Sequence, residues 1–203
     1  MRIDAGEQDI YQPTVWAVPE NKGLPCSFLG QTAERKGEKI KKVAIIIGSD
    51  SDMPVAEKAF NTLKELEIPA TVHILSAHRT PEEARELAVN ARANGYGAII
   101  AAAGMAAHLA GAIAANTTLP VVGIPVKSGD LGGMDALLST VMMPSGIPVA
   151  TVAIGGGVNA ALLCAEMFAI TDDTLREKLE KKRADNTKAV LEKNRAAAER
   201  FNG

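Results

Sequence analysis

The sequence predicts an α/β protein with a five-stranded parallel sheet and a long C-terminal helix. Two observations predict this fold. From residue 42 to residue 170, short runs rich in Val and Ile alternate with Ala-rich runs of helical spacing. The strand-like runs are apolar at nearly every position, as expected when helices cover both faces of a parallel sheet. Right-handed crossovers then join successive strands.

The predicted elements follow one another in a regular order. Apolar β-rich runs predict strands over residues 43–47, 71–75, 98–102, 120–125 and 149–154. Helices are predicted from about residue 54, from residue 81, and over residues 106–115, 134–141 and 159–170. The second helix has the clearest start, because Thr80 is a suitable N-cap, Pro81 suits the first turn, and Glu83 follows the cap by three residues.

The two ends of the chain differ from this core. Residues 1–40 hold three prolines and scattered charges without a period, so we expect an N-terminal extension, poorly ordered unless a neighbour holds it. Residues 41–170 form the catalytic α/β domain, and residues 171–203 a highly charged C-terminal helix. The thin apolar stripe of that helix cannot hold thirty residues on one small domain, so we expect it to dock on another subunit. The stripe consists of Leu175, Leu179, Val190 and Leu191.

Composition narrows the class of protein. The net charge of −2 gives no reason to expect nucleic acid or an anionic membrane as partner. Two cysteines far apart, Cys26 and Cys164, argue against a disulfide framework, and they fit the cytoplasm. Acidic residues in the first 20 positions argue against a secretory signal. The uncharged runs 96–126 and 136–165 are long enough to span a membrane, but Pro and polar residues interrupt them, and a covered sheet explains them better.

Ligands of open parallel sheets bind at the carboxyl ends of the strands, which directs attention to the loops there. The loop over residues 48–54 offers Ser49 and Ser51 and backbone N–H groups as a phosphate cradle. Asp52 can accept hydrogen bonds from both hydroxyls of a ribose. Alternatively, Ser51 and Asp52 only cap the helix that follows. The loop matches neither the P-loop nor the dinucleotide fingerprint.

The loop over residues 76–81 carries the strongest candidate for chemistry. His78 follows a strand directly, so we expect it at the rim where substrate binds. An imidazole titrates near neutral pH and can exchange a proton with a reacting atom. The neighbouring Arg79 offers a planar fork for a phosphate. The alternative is a structural hydrogen bond for His78.

Two further loops are predicted to lie at the same edge of the sheet. Small residues around Gly104 let a flat ligand approach the backbone, and His108 lies in the first turn of the third predicted helix. The Gly-rich loop over residues 127–133 is suited to covering a ligand. Close helix packing and an ordinary surface loop are the alternatives. His73, His78 and His108 lack metal-ligand spacing, so we predict no metal site.

Taken in order, four motifs resemble those of the PurE family of N5-carboxyaminoimidazole ribonucleotide mutases. They are GSDSD at 48–52, SAHRTP at 76–81, AHL at 107–109 and MPSGIP at 143–148, within a similarity that runs from residue 42 to residue 182. The resemblance implies a flavodoxin-like three-layer αβα sandwich, a homo-octamer with active sites between subunits, and no cofactor. It implies a catalytic role for His78. It implies binding or lining roles for Ser49, Asp52, Arg79, Ser76, Gly104 and His108.

The chain also departs from the family pattern. Many members have Gly where Met105 stands and Pro where Ala110 stands, and the connection over residues 155–158 is shorter than usual. Residues 1–40 have no counterpart. These differences concern the detail of the pocket and not the class of reaction.

The resemblance implies conversion of N5-carboxyaminoimidazole ribonucleotide to 4-carboxy-5-aminoimidazole ribonucleotide, by decarboxylation and recarboxylation with proton transfer by His78. A sister group carboxylates aminoimidazole ribonucleotide directly with CO2 and tends to have Lys after the catalytic histidine. This chain has Arg79, which favours the mutase. The other alternative is a non-catalytic nucleotide- or FMN-binding module of the flavodoxin type. Flavin sites recruit aromatic rings, and aromatic residues make up only 3% of the chain.

Overall fold

The computed structural model describes residues 41–202, so the predicted extension and Cys26 lie outside the described residues. This part of the chain alternates strands and helices as predicted. The strands are β1 (Lys42–Ile47), β2 (Ala70–Ile74), β3 (Tyr96–Gly104), β4 (Val121–Val126) and β5 (Ala150–Thr151). The helices are α1 (Met53–Glu65), α2 (Pro81–Asn90), α3 (Leu109–Ala114), α4 (Met134–Val141), α5 (Gly157–Ala169) and α6 (Asp173–Asn202).

The strands form one parallel sheet in the order β2-β1-β3-β4-β5, which confirms the predicted five-stranded sheet. Strand β1, which lies between β2 and β3, shows why residues 43–47 are all apolar. Val43, Ile45 and Ile47 point into the cluster formed with α1, α5 and α6. Ala44 and Ile46 point into the opposite cluster, formed with α2 and α3. Both faces of the sheet are therefore covered, and the fold is the predicted three-layer αβα sandwich.

Two predicted elements are shorter than the sequence suggested. Strand five was predicted over residues 149–154, but its ladder covers only Ala150–Thr151. Beyond that ladder single bonds continue to β4, from the Val152 N–H to the Gly123 carbonyl (3.1 Å) and from the Gly155 N–H to the Pro125 carbonyl (2.8 Å). Helix three was predicted from residue 106 but begins at Leu109. The N–H groups of Ala107 and His108 bond instead to the carbonyls two residues back, at 2.9 and 2.8 Å, which is a tighter turn than a helix.

The predicted long C-terminal helix is present, and its two halves have different surroundings. Leu175 is buried against the α1/α5 face of the sheet. Lys178 and Lys182 bind Glu67 and Glu65, at N–O distances of 2.7 and 2.9 Å. From residue 184 to residue 201 every residue of α6 is exposed. The domain thus holds only the first part of the helix.

The first long uncharged run, residues 96–126, lies mostly in the interior, whereas the second, residues 136–165, is buried mainly in α5. They contain β3, β4, α3 and α5, whose residues supply much of both core clusters. Within residues 41–202, no helix combines the length and apolar character that a membrane span requires. Cys164 is fully buried in α5, and burial raises the pKa of its thiol to about 12, which keeps it in the unreactive protonated form.

Helix α4 packs unusually closely on the sheet because Gly123 of β4 has no side chain. A Cβ at this position would lie 2.5 Å from Thr140 Cγ2 and 2.9 Å from Val149 Cγ1. Both distances are shorter than a van der Waals contact. This close approach fixes the position of α4 and of the Gly-rich loop that precedes it.

We expect Gly123→Ala to lower the free energy of unfolding by about 1–3 kcal/mol, because the added methyl overpacks the α4 interface. Thr140→Ser removes the nearest clashing methyl and keeps the hydroxyl that donates to the Ala136 carbonyl at 2.7 Å. The double variant should therefore regain part of the loss, by more than about 0.5 kcal/mol beyond additivity. Urea unfolding of the wild type, both single variants and the double variant measures this, and strict additivity would contradict the close packing.

Candidate active site

The four loops that the sequence singled out lie at one edge of the sheet, because the strands are parallel and their carboxyl ends coincide. Three hydrogen bonds join these loops in a chain: Arg79 to Gly48, His78 to His108, and Met105 to Ser128. The loops after β1 and β3 lead to helices on opposite faces, which opens a crevice between them. All seven predicted site residues belong to these loops or to the strand ends that carry them.

The loop after β1 is a single 3-10 turn over Asp50–Asp52. The hydroxyl of Ser49 caps this turn, accepting the Ser51 N–H (3.4 Å) and donating to Asp50 Oδ1 (2.9 Å). The sequence alternative in which Asp52 caps the helix is wrong, because Asp52 stands at the N-cap of α1 without a side-chain capping bond. Its carboxylate accepts instead from the Ser51 hydroxyl at 3.4 Å.

Asp52 is the one charged residue among the buried polar side chains of the described chain, with 6% of its surface exposed. Burial raises the pKa of its carboxyl group, because the charged form loses hydration. Hydrogen bonds from Ser51 and from the Ser49 backbone oppose that rise, as does the positive charge of Arg79. A partly desolvated carboxylate of this kind is a strong acceptor for hydroxyl groups of a ligand.

The loop after β2 is held by hydrogen bonds between its own residues. The Ser76 hydroxyl accepts the backbone N–H groups of His78 and Arg79, both at 3.3 Å. The predicted side-chain cap by Thr80 is absent: its hydroxyl turns back to accept the Ser76 N–H (2.8 Å) and to donate to the Ser76 carbonyl (3.2 Å). This closed turn leaves His78 and Arg79 as the exposed side chains of the loop.

Arg79 connects the second loop to the first. Its Nη2 donates to the Gly48 carbonyl at 2.6 Å, directly beside the Ser49 turn. One arm of the guanidinium is therefore fixed on the backbone, while the side chain as a whole stays exposed. A guanidinium held in this way presents its remaining N–H groups in a defined plane, which suits an anionic oxygen.

The two histidines of the site form a direct pair. His78 Nε2 lies 3.0 Å from His108 Nδ1, with ring centroids 5.1 Å apart and the planes at 74°. Both rings are exposed at the crevice, and neither is buried against backbone. His108 stands at the N-cap of α3, just before the first turn in which the sequence placed it.

The loops after β3 and β4 meet at Gly104. Any side chain there would collide with the Ser128 hydroxyl, which instead accepts the Met105 N–H at 2.8 Å. Met105 takes a left-handed backbone conformation that costs a non-glycine residue about 1–2 kcal/mol, and its side chain is 63% exposed. Strain of this kind at the end of a central strand is typical of functional sites.

Sequence reasoning gave Ser128 and Thr80 no individual role in the site, although both fix the crevice. Ser128 lies two residues beyond the end of β4, so the strand-end rule alone could have found it. His73 takes no part in the site. It lies within β2, where its ring bonds to Thr71 (2.8 Å), and burial and the charge of Lys42 lower its pKa. Within residues 41–202, no three His, Cys, Asp or Glu side chains gather as a metal site would require.

This arrangement has a definite chemical capacity. Hydroxyl, N–H and guanidinium groups can hold an anion at the first loop, and a carboxylate next to it can accept from hydroxyls. An imidazole pair that can donate or accept a proton is formed by His78 and His108, on the loops after β2 and β3. The crevice is thus suited to a phosphorylated ligand on which a proton is transferred.

Comparison with known proteins identifies close relatives. The family model described as AIR carboxylase matches residues 42–189. An N5-carboxyaminoimidazole ribonucleotide mutase of Pyrococcus abyssi is 52% identical over 71% of this chain and 83% of its own length. A mutase of the same name from Bacillus subtilis is 50% identical over 74% of this chain and 94% of its own. A chloroplastic phosphoribosylaminoimidazole carboxylase of Vigna aconitifolia is 46% identical over 73% of this chain and 27% of its own.

A solved structure agrees with the fold. Treponema denticola PurE superposes with a TM-score of 0.70 at 30% identity, over 76% of this chain and 96% of that chain. The match supports the predicted flavodoxin-like sandwich.

We expect Asp52→Asn to raise the thermal midpoint of the ligand-free protein at pH 7. The raised pKa of Asp52 means that the folded state binds its proton more tightly than the unfolded chain, whose carboxyl titrates near 3.8. Above that pH the buried charge therefore opposes folding, and the neutral amide removes the penalty. The difference in thermal midpoint between Asp52→Asn and the wild type should shrink as the pH falls towards 4.

Asp50→Asn on the same turn is the matched control, because Asp50 is exposed and its change should be smaller. Scanning calorimetry between pH 4 and pH 8 checks both variants. A lower thermal midpoint for Asp52→Asn at pH 7 would show that the contacts from Ser51 and Arg79 outweigh desolvation.

Proposed function

The chain belongs to the AIR carboxylase family, and we propose that the crevice at the carboxyl edge of its sheet is the active site. The activity is that of an isomerase of purine biosynthesis, N5-carboxyaminoimidazole ribonucleotide mutase. The observation that carries the assignment of the site is the convergence of His78, His108 and Arg79 next to the Ser49 turn. No other edge of the described domain joins an imidazole pair to an anion-binding group.

In this proposal the first two loops bind the ribonucleotide. The Ser49 hydroxyl and the free arm of Arg79 hold the phosphate. Asp52 accepts hydrogen bonds from the ribose hydroxyls, which compensate its partial desolvation. The bond from Arg79 to the Gly48 carbonyl supports the assignment, since it fixes the guanidinium beside the turn before any ligand arrives.

His78 transfers the proton in both halves of the reaction. In the first half, the bond between the exocyclic nitrogen and the carboxyl carbon breaks, CO2 forms, and the nitrogen takes a proton from His78. In the second half, the ring carbon attacks CO2 and His78 removes the proton of that carbon. His78 thereby returns to its starting protonation state, and the substrate has gained and lost one proton.

The loops after β3 and β4 keep CO2 in place between the two halves. Gly104 leaves room for the Ser128 hydroxyl against the end of β3, and the Gly-rich loop over residues 127–133, which begins there, covers the crevice. The hydrogen bond from the Met105 N–H to the Ser128 hydroxyl supports this role, because it attaches the Gly-rich loop to the end of β3. Holding the reactants together supplies much of the catalysis. The reaction needs no cofactor, because the carboxyl group stays at the oxidation level of CO2.

We further propose a cytoplasmic homo-octamer in which residues 41–170 form the catalytic domain and α6 docks on a neighbour. The exposed second half of α6 supports this, as does an apolar stripe on α4. That stripe comprises Met134, Leu138, Val141 and Met142, each between 47% and 76% exposed. Surfaces of this kind normally meet a partner. A neighbouring subunit would also close the exposed side of the histidine pair.

Direct carboxylation of aminoimidazole ribonucleotide is the second candidate, because the Vigna aconitifolia relative carries a carboxylase name. The two reactions share the site and differ in the donor of CO2. Turnover of the carbamate substrate, measured against turnover of aminoimidazole ribonucleotide with bicarbonate, separates them. We expect the carbamate to be preferred by at least about tenfold in kcat/KM, and the opposite preference would replace the mutase by the carboxylase.

His78→Asn should bind the nucleotide but lose nearly all turnover, by about 100-fold or more, because an amide cannot exchange a proton at neutral pH. His73→Asn is the matched control, since this histidine lies within β2 and outside the crevice. Steady-state kinetics and nucleotide binding by calorimetry check both variants. Turnover by His78→Asn close to that of wild type would remove His78 from its role.

The purified protein should have a native mass of about 170 kDa, eight times the 21.2 kDa chain. Light scattering coupled to size exclusion measures it. Leu138→Glu should lower that mass, because it places a charge in the α4 stripe. A wild-type mass near that of one chain would contradict the octamer without touching the assignment of the crevice.

A further inference from the structure

The proposed mechanism uses one histidine, but the structure presents two in direct contact. His78 Nε2 and His108 Nδ1 are 3.0 Å apart, and the two rings, with their planes at 74°, contact each other through these nitrogens. A hydrogen bond has one donor and one acceptor, so only two arrangements exist for a pair of neutral rings. Either His78 donates from Nε2, or His108 donates from Nδ1.

Resting on the proposed function, we propose that His108 is a positioning residue that selects the first arrangement. Its Nδ1 accepts the Nε2–H of His78 and keeps that proton in place throughout the reaction. Nδ1 of His78 is then the one nitrogen that exchanges a proton with the substrate. His108 touches the reacting atoms only through His78.

The second arrangement, in which His108 donates to His78, is excluded because it leaves His78 unable to accept a proton from the ring carbon. After the first half of the reaction His78 is neutral and must have a lone pair facing the ring carbon. If His108 donated to Nε2, the single proton of neutral His78 would be on Nδ1, and neither nitrogen could accept from the substrate. If His108 accepts, His78 begins as the imidazolium, with a proton on each nitrogen. Nδ1 gives its proton to the substrate nitrogen while the proton on Nε2 stays, and Nδ1 then accepts the proton from carbon. No rotation of the ring is needed while CO2 is held.

The backbone on both sides keeps the pair in register. His108 donates its N–H to the Ala106 carbonyl (2.8 Å), and its own carbonyl accepts the Ala112 N–H (2.9 Å). Its sequence neighbours Ala107 and Leu109 are buried in the domain. On the other side, the Ser76 hydroxyl fixes the N–H of His78 at 3.3 Å. Two rings anchored in this way can meet without a ligand to align them.

The charged groups near the histidine pair leave His108 free to accept a hydrogen bond from His78. Arg79, next in sequence to His78, brings a permanent positive charge that is bound to the Gly48 carbonyl. The carboxylate of Asp52 is buried and turned to Ser51, and Asp50 binds Ser49 and the Ser51 N–H. Neither acidic side chain is bonded to His108, so no carboxylate of this loop replaces His78 as the partner of its Nδ1.

Two substitutions of His108 test the role. His108→Asn places an amide oxygen near the position of Nδ1 and keeps an acceptor for His78. His108→Leu has a similar size and no acceptor. We expect His108→Leu to lower kcat by about 10- to 100-fold, the scale of one hydrogen bond to a charged group, with KM changed less than about threefold. His108→Asn should retain at least about five times more of kcat than His108→Leu.

Equal losses of kcat in the two variants would overturn the inference, because an acceptor at Nδ1 would then be irrelevant. A rise in KM without loss of kcat would overturn it as well, since it would make His108 a binding residue only. Native mass and circular dichroism verify that both variants fold. If His108→Leu does not fold, His108→Gln takes its place. The Gln side chain is one carbon longer than Asn, so its amide oxygen is not positioned to accept from Nε2 of His78.

The test separates this inference from the proposed function. If His78→Asn keeps its turnover, the assignment of His78 fails whatever the His108 variants do. If His78→Asn is inactive and the two His108 variants are alike, only the positioning role of His108 fails.

Discussion

The site depends on the parallel pairing of β2 and β3 with β1. Ile47 of β1 lies opposite Ile74 of β2 on one side and opposite Ala102 of β3 on the other. His78 follows the end of β2 by four residues and His108 follows the end of β3 by four residues. A shift of either strand by one residue would turn its side chains to the other face and separate the two rings. The apolar core that fixes this register is therefore the first requirement of the chemistry.

Once the strands are aligned, few contacts complete the crevice. One hydrogen bond joins each pair of loops that are consecutive along the chain: from Arg79 to the Gly48 carbonyl, between the histidines, and from Met105 to Ser128. Each of the three lies at an exposed surface, where a single hydrogen bond contributes only about 1 kcal/mol. The loops are held mainly because their ends are anchored in buried strands. The strain of Met105 is tolerated for the same reason, since the core on both sides of it leaves the backbone no alternative.

The sequence predicted the features that depend on local pattern and on topology. Apolar runs such as residues 43–47 identified the strands, and the strand-end rule brought His78, Arg79 and His108 to one edge. Contacts over long sequence separations could not be predicted. The histidine pair spans 30 residues and the bond from Arg79 to Gly48 spans 31, so both depend on a strand register that local sequence patterns do not reveal. The roles of the individual site residues remain predictions.

Local rules failed where a competing interaction was available. Thr80 has the position and the chemistry of a helix cap, yet its hydroxyl bonds to Ser76, which shapes the loop that presents His78. The third helix starts late because Ala107 and His108 bond to carbonyls two residues back and form tighter turns first. Both departures from the local rule lie in the crevice, where function and not propensity decides the conformation.

A crystal structure with 4-carboxy-5-aminoimidazole ribonucleotide bound tests the central claim most directly. The phosphate should lie on the Ser49 turn within reach of Arg79, with the ring carbon that bears the carboxylate nearest to Nδ1 of His78. The bond between Nε2 of His78 and His108 should remain intact. A nucleotide bound at another edge of the sheet, or a His78 ring turned away from the imidazole, would contradict the account.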